Sequence, residues 1–348
     1  MSTVETDPMH ALPTAWGGPH GQARLRQVPE DFIVEEELGY AADGDGEHLL
    51  LHIRKRQLNT TEVAGRLARW AGVPRQAIGY AGLKDREAIT SQAFSVALPG
   101  RDLPSLEGLE DERLQVLDAQ RHRRKVRTGA LRGNRFRLRL RAFSGDRAAL
   151  EHTLAQLRTR GMPNYFGAQR FGHAGGNLTA ARALLLDGAR VPRARRGLLY
   201  SAARSWLFNQ VLAARVQQQR WQQALPGDVF SLDGRRAQFQ DPGPEPDPAL
   251  APRLAGLEIH PTGPLCGRPS RALAPAQAAA ALEADVLAPH QAWIDALAAR
   301  GLDADRRALR ARVTDLSWQW ADDDLILDFG LPAGSYATTL LSELIAAA

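Results

Sequence analysis

The chain has 348 residues, 44% of them hydrophobic and 24% charged, with a formal net charge of +5. That length allows two domains with real cores, and the composition is that of a globular protein rather than a disordered or fibrous one. No apolar run reaches the roughly 20 residues that span a bilayer, MSTVETDPMH lacks the apolar stretch of a secretory signal, and the single cysteine, Cys266, excludes an intramolecular disulfide and a cysteine-based zinc cage, so the expected compartment is the cytoplasm.

Residues 32–38 (FIVEEEL) and 48–53 (HLLLHI) read as strands joined by a turn-rich DGDGE segment. Asn59-Thr-Thr-Glu62 has the form of a capping box, and Val63, Leu67 and Trp70 follow at helical spacing before Gly72 and Pro74 stop the helix. Then comes GYAGLKDREAITSQ, residues 79–92, with Asp85 between Lys84 and Arg86, and a strand over 93–98. Asp85 therefore falls on a tight connection between a helix and an apolar strand. A neighbouring cation favours the charged form of a carboxylate, and a held carboxylate can serve as ligand, base or nucleophile.

From Arg121 to Arg141 there are ten Arg or Lys residues and no Asp or Glu. Only Lys55, Lys84 and Lys125 are lysines, so almost all positive charge is arginine, which grips phosphate bidentately and stacks on bases. The run points to a nucleic-acid footprint, with a solvated surface as the bland alternative. Within it, residues 135–141 alternate: Phe136, Leu138 and Leu140 to a packed face, Arg135, Arg137, Arg139 and Arg141 to a cationic one. Gly133-Asn134-Arg135-Phe136 opens this strand, and an Asn amide with a nearby Phe can read and stack a flipped base; Phe136 can equally be core.

Helical patterns follow over 146–160, 177–189 and 200–224. Between the first two, Asn164–Gly172 (NYFGAQRFG) concentrates aromatic and polar groups, as suits either a site or an aromatic hinge. Arg204 and Asn209 in SAARSWLFN read as the solvated face of the third helix. Residues 241–252 (DPGPEPDPALAP) are a proline-rich loop, and 274–311 is Ala-rich helix. Residues 313–320 and 324–329 read as strands, followed by a turn and a final helix that begins near Ser335 and Tyr336. His48 and His52 lie four apart without a third ligand, and GHAGGN has the wrong spacing for a dinucleotide fingerprint, so nothing calls for zinc, ATP or NAD.

GYAGLKDREAITSQ resembles the catalytic motif of the tRNA pseudouridine synthase D (TruD) family. VPEDFIVEE, GDGEHLLLHI, LRGNRFRLRLR, NYFGAQRFG, SAARSWLFN and LPAGSYATTLLSEL also resemble family segments, in family order, from about residue 22 to 345. The resemblance implies an α+β pseudouridine synthase fold: a mixed, mainly antiparallel sheet with flanking helices, interrupted by an inserted α/β domain. The implied boundaries are 1–157 for the first part of the catalytic domain, 158–304 for the insertion and 305–348 for the last part. It implies isomerisation of uridine to pseudouridine, chiefly at position 13 of tRNA, with no cofactor or metal. No membrane association is expected, and because no feature of the sequence demands a partner subunit, a monomer with no required protein partner is expected.

Carried over residue by residue, the resemblance makes Asp85 the catalytic aspartate, and Phe32, Asn134 and a C-terminal aromatic (Tyr336 in preference to Phe329) contacts of the target nucleotide. Lys84 and Phe136 are also expected as substrate-binding positions from the sequence, and in the resemblance Arg26 stands where members can carry a lysine thought to orient the aspartate. Two rivals differ in class. A non-catalytic RNA-binding scaffold would keep Asp85 only as an ion pair; a Mg²⁺-dependent nuclease would need a second carboxylate, for which Glu87 is the near candidate.

Overall fold

The computed structural model describes residues 12–241 and 243–346 and divides the chain into two compact units. One comprises Gly21–Gly145 and Val313–Gly334; the other comprises Asp146–Arg312 and Ser335–Ala346 with residues 12–20. The chain changes unit at 20/21, 145/146, 312/313 and 334/335, against the expected 157/158 and 304/305. Helix Arg147–Arg160 goes with the second unit, where Thr153 donates to the Trp16 carbonyl and meets the His20 ring. No helix among the described residues is long and apolar enough to cross a membrane.

The first unit is built on one sheet of nine strands: β1 (Gly21–Arg24), β2 (Phe32–Glu37), β3 (His48–Arg56), β4 (Ile78–Tyr80), β5 (Ile89–Ala97), β6 (Leu114–His122), β7 (Gly133–Gly145), β8 (Thr314–Ala321) and β9 (Asp324–Pro332). Their order is β8-β9-β7-β2-β5-β3-β6, with β1 beside the end of β7 and β4 beside β5. Every pairing is antiparallel except β2 with β5. This is the mixed, mainly antiparallel α+β architecture expected.

The alternation read in β7 sets its two faces. Phe136, Leu138 and Leu140 are buried while Arg135 and Arg137 are exposed. In register, Phe136 lies opposite Val34 of β2 and Phe329 of β9, so these side chains share one face. On that face Leu49, Leu51, Ile53, Phe94 and Val96 take the helix Thr60–Trp70, which buries Val63, Ala64 and Leu67 against them. The capping box forms: the Asn59 N–H donates to Glu62 Oε2 at 2.7 Å.

In the second unit the helix Arg193–Gln217 runs through the core, burying Leu207, Phe208, Val211 and Leu212. A four-stranded sheet orders Gln238–Gln240, Val229–Leu232, Ile259–Leu265 and Asp305–Ala308. The last of these corrects the helix expected over 274–311. Helices Gln277–Leu287 and Gln291–Ala299 form, but Gly301, at φ +76°, ends the second, and Asp305–Ala308 pairs with Ile259–Leu265. Alanine-rich composition favours helix only until a left-handed stop and a waiting sheet edge outweigh it. Strand β6 and the strands at 229–265 escaped the sequence reading, because short or edge strands carry weak period-two patterns.

Candidate active site

Strand β4 delivers the chain into the irregular segment 81–88, which returns to the sheet as β5. Asp85 sits in that loop with its side chain about one-third exposed, and Arg26 Nη1 pairs with its Oδ2 at 3.1 Å. Its Oδ1 accepts the N–H of Glu87 at 3.1 Å. Arg26 is set by its backbone: φ is +54°, the left-handed region, where a side chain other than glycine costs on the order of 1 kcal/mol. The bend is held by Asp31, whose Oδ2 accepts from the N–H groups of Gln27 (3.0 Å) and Val28 (3.2 Å) and which pairs with Arg141 at 2.8 Å. Burial opposes the Asp31 charge, yet Arg141 and the two backbone donors hold its carboxyl below the usual range.

The cations flanking Asp85 in sequence turn elsewhere, which corrects the expectation that they serve its carboxylate. Lys84 Nζ enters the sheet face, 2.8 Å from Glu36 Oε2, and donates to Asn134 Oδ1 at 2.7 Å. Arg86 is exposed and lies 3.8 Å from Glu87. Glu87 does not come forward as a second acid: its carboxylate is exposed beside Arg86, and only its backbone meets Asp85. Among the described residues no group of three or more His, Cys, Asp or Glu side chains could hold a metal ion.

Three residues that sequence reasoning missed pin the loop from below. Lys55 is buried and donates from Nζ to the Asp85 carbonyl at 2.7 Å. Burial pushes its amine down to about 8, against the attraction of Asp85. Thr60 Oγ1 accepts the Lys84 N–H and donates to Gln92 Oε1, both at 2.9 Å, while Gln92 Nε2 donates to the Gly82 carbonyl at 3.1 Å. A signal existed for Lys55. In HLLLHIRKR it has the same parity as Leu49, Leu51 and Ile53, a charged residue at an inward position of a strand.

An aromatic row completes the site. The Arg26 guanidinium lies 4.3 Å from the Phe32 ring centre, Phe32 meets Phe136 edge-on at 6.3 Å, and Phe136 stacks on Phe329 at 5.2 Å. The structure therefore gathers Asp85, Arg26, Lys84, Asn134, Phe32, Phe136 and Phe329 in the first unit. Tyr336 belongs to the second unit, where its hydroxyl accepts from Arg170 at 3.1 Å and its ring packs on Phe166.

The expected cationic face does not come forward as free charge. Arg135 pairs with Asp315 (3.2 Å), Arg137 with Asp328 (3.8 Å), Arg139 with Asp324 (2.7 Å) and Arg141 with Asp31 (2.8 Å). Being at odd positions, Arg135, Arg137 and Arg139 point away from the side that carries Asn134 and Phe136. Asn209 is also corrected. It is fully buried, and its amide clamps Phe166, accepting its N–H at 2.9 Å and donating to its carbonyl at 3.0 Å. NYFGAQRFG is thereby fixed within the second unit.

The sequence profile of the family described as tRNA pseudouridine synthase D (TruD) matches residues 14–190 and 177–344. A tRNA pseudouridine synthase D of Xanthomonas campestris pv. campestris (strain B100) is 48% identical over 349 residues, covering 96% of this chain and 94% of its own. The chain belongs to the tRNA pseudouridine synthase D family. A relative of the same name from Pseudomonas entomophila (strain L48) is 48% identical over 340 residues, again covering 96% of this chain and 94% of its own. The fold agrees as well: a solved chain described as the 'Putative tRNA pseudouridine synthase D (TruD)' from Methanosarcina mazei, 21% identical, superposes with a TM-score of 0.70 over 96% of this chain and 95% of that one. The matched residues 14–190 include the loop that presents Asp85.

Proposed function

We propose that the protein isomerises uridine to pseudouridine in tRNA, at position 13, with Asp85 as the catalytic carboxylate and without a cofactor. One observation carries the reading within the family. The sole partly open carboxylate of the GLKDR loop is paired by Arg26, while its backbone is pinned by Lys55 beneath. Such a carboxylate is positioned for chemistry while the loop has little freedom to move, which is preorganisation of the reacting group.

The reaction breaks the C1′–N1 glycosidic bond, turns the base, and forms C1′–C5. The C5 proton leaves to solvent and N1 gains one, so no electrons are exchanged and no redox partner is needed. Asp85 either attacks C1′ or takes the C2′ proton on a glycal route. Both demand a uridine extruded from its stack. Asn134, oriented by Lys84, offers its amide N–H groups to a base edge, and the Phe32–Phe136–Phe329 row supplies the apolar floor.

The test is tritium release from 5-³H-uridine tRNA transcripts with EDTA present. The wild type is expected to release tritium, and Asp85→Asn none above background, with RNA affinity kept within a few-fold because phosphate contacts dominate it. Release by Asp85→Asn at the wild-type rate would remove the aspartate from the mechanism. Loss of all release in EDTA would argue for a metal.

A further inference from the structure

The long cationic run of the sequence splits into two parts with different fates. Its second part, on β7, is ion-paired strand by strand. Its first part lies mainly in the connection from β6 to β7, residues 123–132, which is anchored through the buried Val126 while Arg123, Arg124, Lys125 and Arg127 are exposed. The Val126 N–H donates to Ser95 Oγ at 2.8 Å, and the Gly129 N–H donates to the Ala81 carbonyl at 2.7 Å. The approach is close enough that a Cβ on Gly79 would lie 2.3 Å from the Val126 carbonyl oxygen, so only glycine fits there. This strap is hence tied to Ala81, the first residue of the loop that carries Asp85.

Between the strap and β4 opens a cleft of about 700 Å³ lined by Arg75, Gln76, Tyr80, Lys125, Arg127 and Thr128, among others. No Asp or Glu lines it. Arg75 donates to the Thr61 carbonyl (3.3 Å) and Lys125 to the Gln76 carbonyl (2.6 Å), neutral partners that orient both cations and leave their charge uncompensated. The Arg75 guanidinium also lies over the Tyr80 ring, 5.7 Å from its centre, which holds it towards the cleft. Three cations, a hydroxyl and an aromatic ring in one concavity form a polyanion cradle of the kind that tracks a phosphate backbone.

We infer that this cleft binds the sugar-phosphate backbone of the substrate RNA beside the target uridine, with Arg75, Lys125 and Arg127 on successive phosphates. The inference rests on the proposed tRNA activity, because the strap can guide RNA to Asp85 only if Asp85 acts on RNA. Binding to the β7 arginines is the alternative that the ion pairs disfavour.

The experiment measures tRNA affinity by filter binding across a salt series for three variants, after the wild type has been shown to release tritium from the same transcript. Arg75→Gln/Arg127→Gln is expected to weaken binding about tenfold or more at low salt. It should also reduce the slope of log K against log[salt] by about 1–2, as loss of two phosphate contacts requires. Arg75→Lys/Arg127→Lys should restore most of the slope, which a folding defect would not allow. Arg137→Gln/Arg139→Gln should leave it unchanged. An unaltered slope in the first variant, or a larger drop in the third, overturns the cleft as the RNA path while leaving the activity intact. A wild type that binds tRNA but releases no tritium overturns the functional reading itself.

Discussion

Strand β7 presents two faces built from one alternating segment, and they differ in how charge is treated. On the inward face, Asn134 and Phe136 stand beside Glu36 and Lys84, an ion pair with side chains 0% and 8% exposed. On the outward face, Arg137 and Asp328 form a pair with side chains 55% and 44% exposed. Sequence shows four arginines on the second face and no charge on the first, so it draws attention to the second and away from the first. The arginines meet acids on β9, β8 and the turn before β2 that no local pattern could pair with them, whereas the charges organising the site arrive from β2 and the Asp85 loop.

The contrast can be broken most severely at Lys84. Lys84→Met leaves the Glu36 carboxylate buried with only the Ala93 N–H as a donor, at 3.2 Å. Removing one partner of a buried pair costs about 3–5 kcal/mol, so a fall of that order in unfolding free energy is expected by urea titration. Adding Glu36→Leu should recover most of the loss, because replacing both charges with apolar groups is close to neutral. The double variant should nonetheless isomerise poorly, since Asn134 Oδ1 has lost its Lys84 donor. Recovery of stability together with full turnover would show that Lys84 serves the fold alone.

The legibility of the molecule follows the same division. Strands with a buried side and the capped helix Thr60–Trp70 were readable, because periodicity and capping chemistry are local. The Asp85 loop stood out as a motif, Arg26, Phe32 and Asn134 were named through resemblance, and Phe136 from its place on the alternating strand. Lys55, Thr60 and Gln92 were not picked out as its supports, and the two cations beside Asp85 were assigned to it by sequence proximity. Pairing across strands decided otherwise: neighbours at positions 84 and 86 diverge, while Arg26 arrives from fifty-nine positions upstream. The same limit hid Asn209, a polar residue whose burial is justified only by the backbone of Phe166.

Buried charge recurs in the second unit, where a pH series sharpens the comparison. Glu343 is 1% exposed, and burial pushes its carboxyl up to about 7 even though Ala15 and Trp16 donate N–H groups to it at 2.9–3.1 Å. Because the folded value lies above the usual 4.5, the folded state binds the proton more tightly than the unfolded chain does. The contribution to stability is fully present below about 4.5 and is lost as pH rises through about 7. Up to about 3 kcal/mol is at stake between pH 5 and pH 8, and Glu343→Gln should flatten that part of the stability profile. A slope identical to wild type would mean that Glu343 titrates normally.

The smallest effect belongs to the outward face. A double-mutant cycle on Arg137→Gln and Asp328→Asn should return a coupling of about 0.5 kcal/mol or less, as for exposed pairs generally. At 3.8 Å the partners are at the edge of contact and well hydrated, so salt should screen what coupling exists. A coupling above about 2 kcal/mol would instead mean that this face is desolvated in the working protein, covered by something that removes water from Arg137. That outcome would return the outward arginines to consideration as an interface. A small coupling leaves them as hydrated surface charge held only loosely by its acids.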